Sequence, residues 1–120
     1  MSIKIQVSQH VTFPVTGCIT NADGTSEDFA FRLTARRLNH EELQQAHQDI
    51  VVGISQVGTN QPVTAKLQEL VTGWFDVYDG QGEPVPFSAE AFAGLLCAYG
   101  DLNMIVWRAY QADAVAKAKN

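Results

Sequence analysis

The feature that most constrains the fold is a change of hydrophobic period at Leu38. Before it, apolar residues recur every second position: Val11, Phe13, Val15, Gly17 and Ile19 alternate with Thr12, Pro14, Thr16, Cys18 and Thr20, and Phe29, Phe31 and Leu33 alternate with Ala30, Arg32 and Thr34. Two such runs around the "NADG" turn signal predict an antiparallel hairpin with one buried face. Ile3, Ile5 and Val7 continue the alternation toward the N-terminus. Pro14 has no N–H to give to a ladder, so its strand belongs at an edge or at a bulge. After Leu38 the period becomes helical. The chain therefore reads as α+β: an N-terminal antiparallel hairpin of two or three strands, then about four helices. Residues 1–120 form one domain, with 1–37 as the hairpin region and 38–120 as the helical region.

The helix signals are specific. Asn39 is an N-cap with Glu42 at N3, a capping box, and Leu38 with Leu43 can staple the entry. That helix is expected to run to about Val52, with Leu43, Ala46, Ile50 and Ile54 inward and Gly53 near its end. "SQVGTNQ" then reads as a loop. Pro62 suits the first turn of a second helix, with Val63, Leu67, Leu70 and Val71 on one side and Gly73 stopping it. Trp74 to Tyr78 is short and extended, and "DGQGEP" turns the chain. Ser88 caps a third helix, stapled by Phe87 and Phe92. A last helix starts near Asp101 and carries Lys117 and Lys119 at its negative end.

Charge layout excludes one large class of function. The net charge is −5, and no lysine or arginine occurs between Lys66 and Arg108, a span that holds Glu69, Asp76, Asp79, Glu83, Glu90 and Asp101. Nucleic-acid binding draws its affinity from cations set against phosphates, so no nucleic-acid partner is expected. No run approaches the ~18 apolar residues of a membrane span, and the N-terminus lacks a signal-peptide core. The expected location is the cytoplasm. Cys18 and Cys97, in apolar or threonine-rich surroundings, read as buried small hydrophobes.

Reaction chemistry finds little support. Calcium-loop registers on Gly80 or Gly82 put Phe75 and Val77, or Val77 and Ser88, where oxygen ligands with a closing glutamate belong. Asp76, Asp79 and Glu83 could pair for acid–base work only in a sheltered pocket, and a glycine-rich turn is a poor one. His40 and His47 lack the i, i+4 spacing of a helical zinc site, His10 lies in a strand, and Cys97 has no neighbouring base. No catalytic, cofactor or metal residue is assigned. The anomaly is the last helix. A stripe of Leu102, Ile105, Val106 and Ala109 leaves Met104, Trp107 and Tyr110 on other faces, so the helix is either buried between layers or docked on another chain. Met104, Trp107 and Tyr110 are taken as exposed adhesive residues. Trp74 reads as a core residue or a wedge between helices, with contact duty as the lesser role.

The pattern Trp74-x-x-Val77-x-Asp79-x-x-Gly82-x-Pro84-Val85-Pro86-Phe87-Ser88, followed by a helix and a terminal aromatic-bearing helix, resembles the tail assembly chaperones of long-tailed bacteriophages and prophages. The hairpin ending in "FAFRLTARRLNHEEL" is similar to that family too, so the likeness spans most of the chain. Its motifs are structural. The resemblance implies a non-catalytic protein of the bacterial host's cytoplasm, absent from the mature virion. It would bind the tape-measure protein, keep it soluble and help recruit tail-tube protein. It also implies a homo-oligomer, and a longer form made by ribosomal frameshifting, with which the ending "AVAKAKN" is compatible. A structural tail-completion or connector subunit is the alternative. A small hydrolase built on Asp76, Asp79 and Glu83 is the enzyme alternative.

Overall fold

The computed structural model describes residues 2–3 and 8–114. Within them the order is β1 (His10–Thr20), β2 (Ser26–Arg36), α1 (His40–Val57), α2 (Gln61–Leu70), β3 (Val71–Phe75), α3 (Ala89–Ala98) and α4 (Leu102–Ala114). The three strands form one antiparallel sheet in the order β1-β2-β3, and the helices follow or flank the third strand. The fold is α+β, as the change of period requires. Ile3 is exposed and outside any strand, whereas Ile5, Val7, Lys117 and Lys119 lie outside the described residues.

Alternation sets the inner face of the sheet. Phe13 and Val15 of β1, and Phe31, Leu33 and Ala35 of β2, are buried, with Val11, Ile19 and Phe29 partly so. The register pairs Phe13 with Leu33 and Val15 with Phe31. Asn21 N–H donates to Thr25 O at 2.8 Å, and Arg37 N–H to Gln9 O at 2.8 Å. Odd-numbered residues of β1 therefore bond to β2, and even-numbered ones turn their backbone groups away from it, toward a side that no described strand occupies. Pro14 is even-numbered, so the edge position expected of it costs no ladder bond. Gly17 faces Phe29, whose ring would stand 2.6 Å from an added Cβ. A side chain at this position would force that ring to move.

The helices obey their caps. Asn39 accepts from Glu42 N–H at 2.8 Å, and Glu42 accepts from Asn39 N–H at 3.0 Å, closing the capping box. Helix α1 does not stop near Gly53. It runs to Val57 and ends on Gly58, whose φ of 80° is the left-handed geometry of a glycine cap. The predicted loop over "SQVGTNQ" shrinks accordingly to Gly58–Asn60. Gly53 instead meets Pro62 of α2: an added Cβ would lie 2.8 Å from the proline ring. A residue read as punctuation is a packing notch.

Helix α2 buries Val63, Thr64, Leu67 and Leu70 and ends before Val71. Gly73 does not terminate it. Val71–Phe75 is a strand, pairing with Arg32–Ala35 across a bulge at Thr34/Ala35. The edge of β2 is thus covered by a segment whose five residues are too few to show a clear period.

Candidate functional site

The adhesive residues expected on α4 are largely interior. Trp107 is 3% exposed and Tyr110 is fully buried, while Met104 is only partly buried. Tyr110 packs edge-on against Phe13 at 5.6 Å, stacks on Trp107 at 5.7 Å, and donates its hydroxyl to Arg36 O at 2.7 Å. Burial pushes its phenol pKa up, against a smaller lowering by backbone hydrogen bonding and the Arg36 charge. Helix α4 lies against β1 and buries Leu102, Asn103, Val106, Trp107, Tyr110 and Ala114. The predicted stripe misplaced the inner face because that face carries a polar residue, Asn103.

Asn103 is satisfied rather than wasted. Its amide donates to Thr64 Oγ1 at 3.0 Å and Asn60 O at 3.1 Å, and its oxygen accepts from Asn60 Nδ2 at 3.1 Å and Met104 N–H at 2.7 Å. A buried amide with partners on both ends is tolerated, and here it ties the start of α4 to the start of α2.

Trp74, on β3, is partly buried and packs against the connector in place of lying between helices. Its indole N–H donates to Val85 O at 2.8 Å, and Phe87 stands edge-on to it at 5.3 Å. Phe87 lies 6.1 Å from Phe92, and Ser88 accepts from Ala91 N–H at 3.0 Å, which completes the cap and staple of α3. Between Trp74 and Ser88 the chain folds on itself, with Val85 N–H donating to Val77 O at 2.9 Å.

The acidic turn has structural duties. Asp79 Oδ1 accepts from Gln81 N–H at 2.9 Å and Glu83 N–H at 3.0 Å, and Asp76 pairs with Arg32 at 3.1 Å. Among the described residues no three His, Cys, Asp or Glu side chains cluster as a metal site would.

Exposure of apolar area falls elsewhere. Helix α3 buries only Phe92 and Leu96 and leaves its other apolar side chains partly or fully exposed. Cys97 lies exposed on it, and Cys18 lies exposed on the outer side of β1, one residue off the inward alternation. Neither is a buried hydrophobe. Where α3 gives way to α4, the chain turns by 113° through Tyr99–Asp101. Tyr99 is left 44% exposed opposite the projecting end of the hairpin.

An apolar groove opens there. One lobe, about 170 Å3, is lined by Phe29 and Phe31 of β2, Val77 and Tyr78 of the connector, and Leu95 and Tyr99. A second lobe shares Ile19, Phe29, Tyr99 and Leu102 with the first and extends to Cys18 and Ile105. Tyr78 is 58% exposed at one end. The backbones of Asp76 and Asp101 flank this region with φ of 67° and 62°, positive values that aspartate tolerates better than bulkier residues. Of the residues read as adhesive from sequence, none lines the groove. The signal for it was present in Phe29, Tyr78 and Tyr99, but it depends on three segments meeting. The chain matches none of the family models, curated proteins or solved structures with which it was compared.

Proposed function

We propose that the protein is a non-catalytic tail assembly chaperone of a long-tailed phage or prophage. It binds the tape-measure protein in the host cytoplasm, keeps it soluble and assists addition of tail-tube protein, acting as a homo-oligomer through apolar contacts. The resemblance carried by Trp74 through Ser88 supplies the family, and one structural observation supports the mode of action: an apolar groove with half-exposed tyrosines at its mouth. Contact area of this kind suits holding a client, and many copies along an elongated client add their weak contacts. In this reading the client meets the groove formed by the strands of the hairpin, the connector and the α3–α4 corner, and not Met104, Trp107 or Tyr110.

Among the described residues β1, eleven residues long, lies at the edge of the sheet, which favours a second reading as a structural tail-completion or connector subunit that accepts a strand from a neighbour. Co-expression with a tape-measure protein encoded in the same gene neighbourhood separates the two. A chaperone raises the soluble fraction of that client and is missing from purified particles. A structural subunit is found in the particles and leaves client solubility unchanged.

A further inference from the structure

We infer that Gly17, which lines neither lobe of the groove, sets how much room the groove has, because its missing Cβ lets the Phe29 ring lie down over β1. That role rests on the proposed function in taking the groove as the place where a client is held. It adds a positioning residue on the neighbouring strand, acting through Phe29.

Backbone geometry does not call for a glycine here. Gly17 sits in the interior of β1, and the glycines with positive φ are Gly24, Gly58 and Gly82. An extended glycine inside a strand has nothing to pack and gives up more conformational freedom on folding than other residues do. Space calls for it instead. Gly17 and Phe29 are direct cross-strand partners, and alternation puts a Cβ at position 17 on the inner face with Val15 and Ile19. There it would stand 2.6 Å from Cζ and 2.8 Å from Cε2 of Phe29. Those atoms are the far end of the side chain, so the ring leans across the sheet with its tip over Gly17.

Both lobes are lined by Phe29. A Cβ at position 17 would meet a side-chain tip and no backbone, so the ring yields by turning about its χ angles while the strands keep their register. The sheet lies beneath the ring. Beside it stands Phe31, buried and stacked on it at 6.1 Å. The room left to the ring is that of the lobes, toward Tyr99 and Leu102, which line both. One methyl group added to β1 therefore takes space from a lobe of about 170 Å3 by moving a residue of its wall.

The test compares full-length wild type, Gly17→Ala, Phe29→Leu and the double variant. One readout is the set of NMR contacts made by the residue 29 side chain; the other is the soluble fraction of a co-expressed tape-measure protein at equal chaperone levels. Wild type should show Phe29 ring contacts to the Gly17 Hα, and Gly17→Ala should exchange them for contacts to Leu102 and Tyr99. The melting midpoint of Gly17→Ala should stay near that of wild type, while soluble client falls by about tenfold, as on loss of a central contact. Phe29→Leu should keep the client soluble. In that background the added alanine should have no further effect, because residues in contact couple and the ring that it displaced is gone.

A ring that stays over position 17 in Gly17→Ala would overturn the inference, as would undiminished client rescue by that variant. A large fall in its melting midpoint would mean that the strands give way in place of the ring, and the inference would be wrong. It would be wrong too if the double variant were as poor as Gly17→Ala, or if Phe29→Leu alone lost the client, since the ring itself would then be what the client needs. Should wild type fail to keep the client soluble, the chaperone reading falls, and the ring position in Gly17→Ala still decides whether Gly17 sets the room of the groove.

Discussion

Helices α3 and α4 are both apolar, yet they play opposite parts. Helix α4, with its tryptophan, tyrosine and methionine, has the composition of a sticky surface and is instead the innermost helix, lying against β1. Helix α3, "AEAFAGLLCA", has the higher mean hydropathy and buries only two side chains. The difference is positional. A helix that crosses the face of a sheet can be covered on several sides, whereas one at the periphery is covered along a single stripe. Greasiness along a segment does not say which of the two it is. That depends on what else the chain can bring over it.

The largest effect that would break this contrast is in the α4 core. Tyr110→Ala should cost about 3–5 kcal/mol, the range for removing a large buried aromatic, read by chemical denaturation. A loss below 1 kcal/mol would mean α4 is not buried as described. The same phenol gives α4 a pH signature. Its pKa is raised in the folded state above the ordinary phenol value of 10.0. Its contribution is therefore complete below the unfolded pKa and is lost as pH climbs from about 10 through the folded value. Tyr110→Phe should flatten that part of the alkaline stability profile; an unaltered slope would assign the alkaline loss to other groups.

A middle-sized effect tests the polar tie that orients α4. Asn103→Ala should cost about 1–3 kcal/mol by stranding Asn60 and Thr64. Stability within error of wild type would show that the network carries no weight.

On α3 the expected sign reverses. Gly94 has nothing within 4 Å of an added Cβ, so Gly94→Ala should stabilise by roughly 0.5–1 kcal/mol. The same exchange at Gly53, against Pro62, should destabilise by about 1–3 kcal/mol through overpacking. Thermal melts of the two variants moving in the same direction would contradict the packing described for both helices. Smallest of all, Tyr99→Ser should shift stability by no more than about 0.5 kcal/mol while weakening the proposed client contact. A large loss of stability there would make Tyr99 a core residue and dissolve the contrast between the two helices.

What was legible in the sequence was local. Alternation around "NADG" fixed the hairpin, and the Asn39–Glu42 and Ser88 caps fixed two helix starts to the residue, because each signal lies within a few positions. Gly53 misled, since a glycine that ends a helix and one that admits a neighbouring proline look alike until Pro62 is in place. Of the strand Val71–Phe75 only the end, Trp74 and Phe75, was read as extended, because its pairing partner lies about forty positions away on β2. Asn103 hid the inner face of α4, as an amide among apolar residues signals solvent unless Asn60 and Thr64 are known to reach it. The groove was least visible. Phe29, Tyr78 and Tyr99 carry no shared period, and only the 113° turn after α3 brings the last of them to the other two.

The proposal that the groove holds a client, while α4 hides its aromatic face, is open to a direct test. The most direct measurement is the soluble fraction of a co-expressed tape-measure protein with wild type and with the folded Tyr99→Ser variant. The account predicts a soluble client with wild type and an aggregated one with the variant, at equal chaperone levels and equal chaperone stability. A client kept equally soluble by both would contradict it.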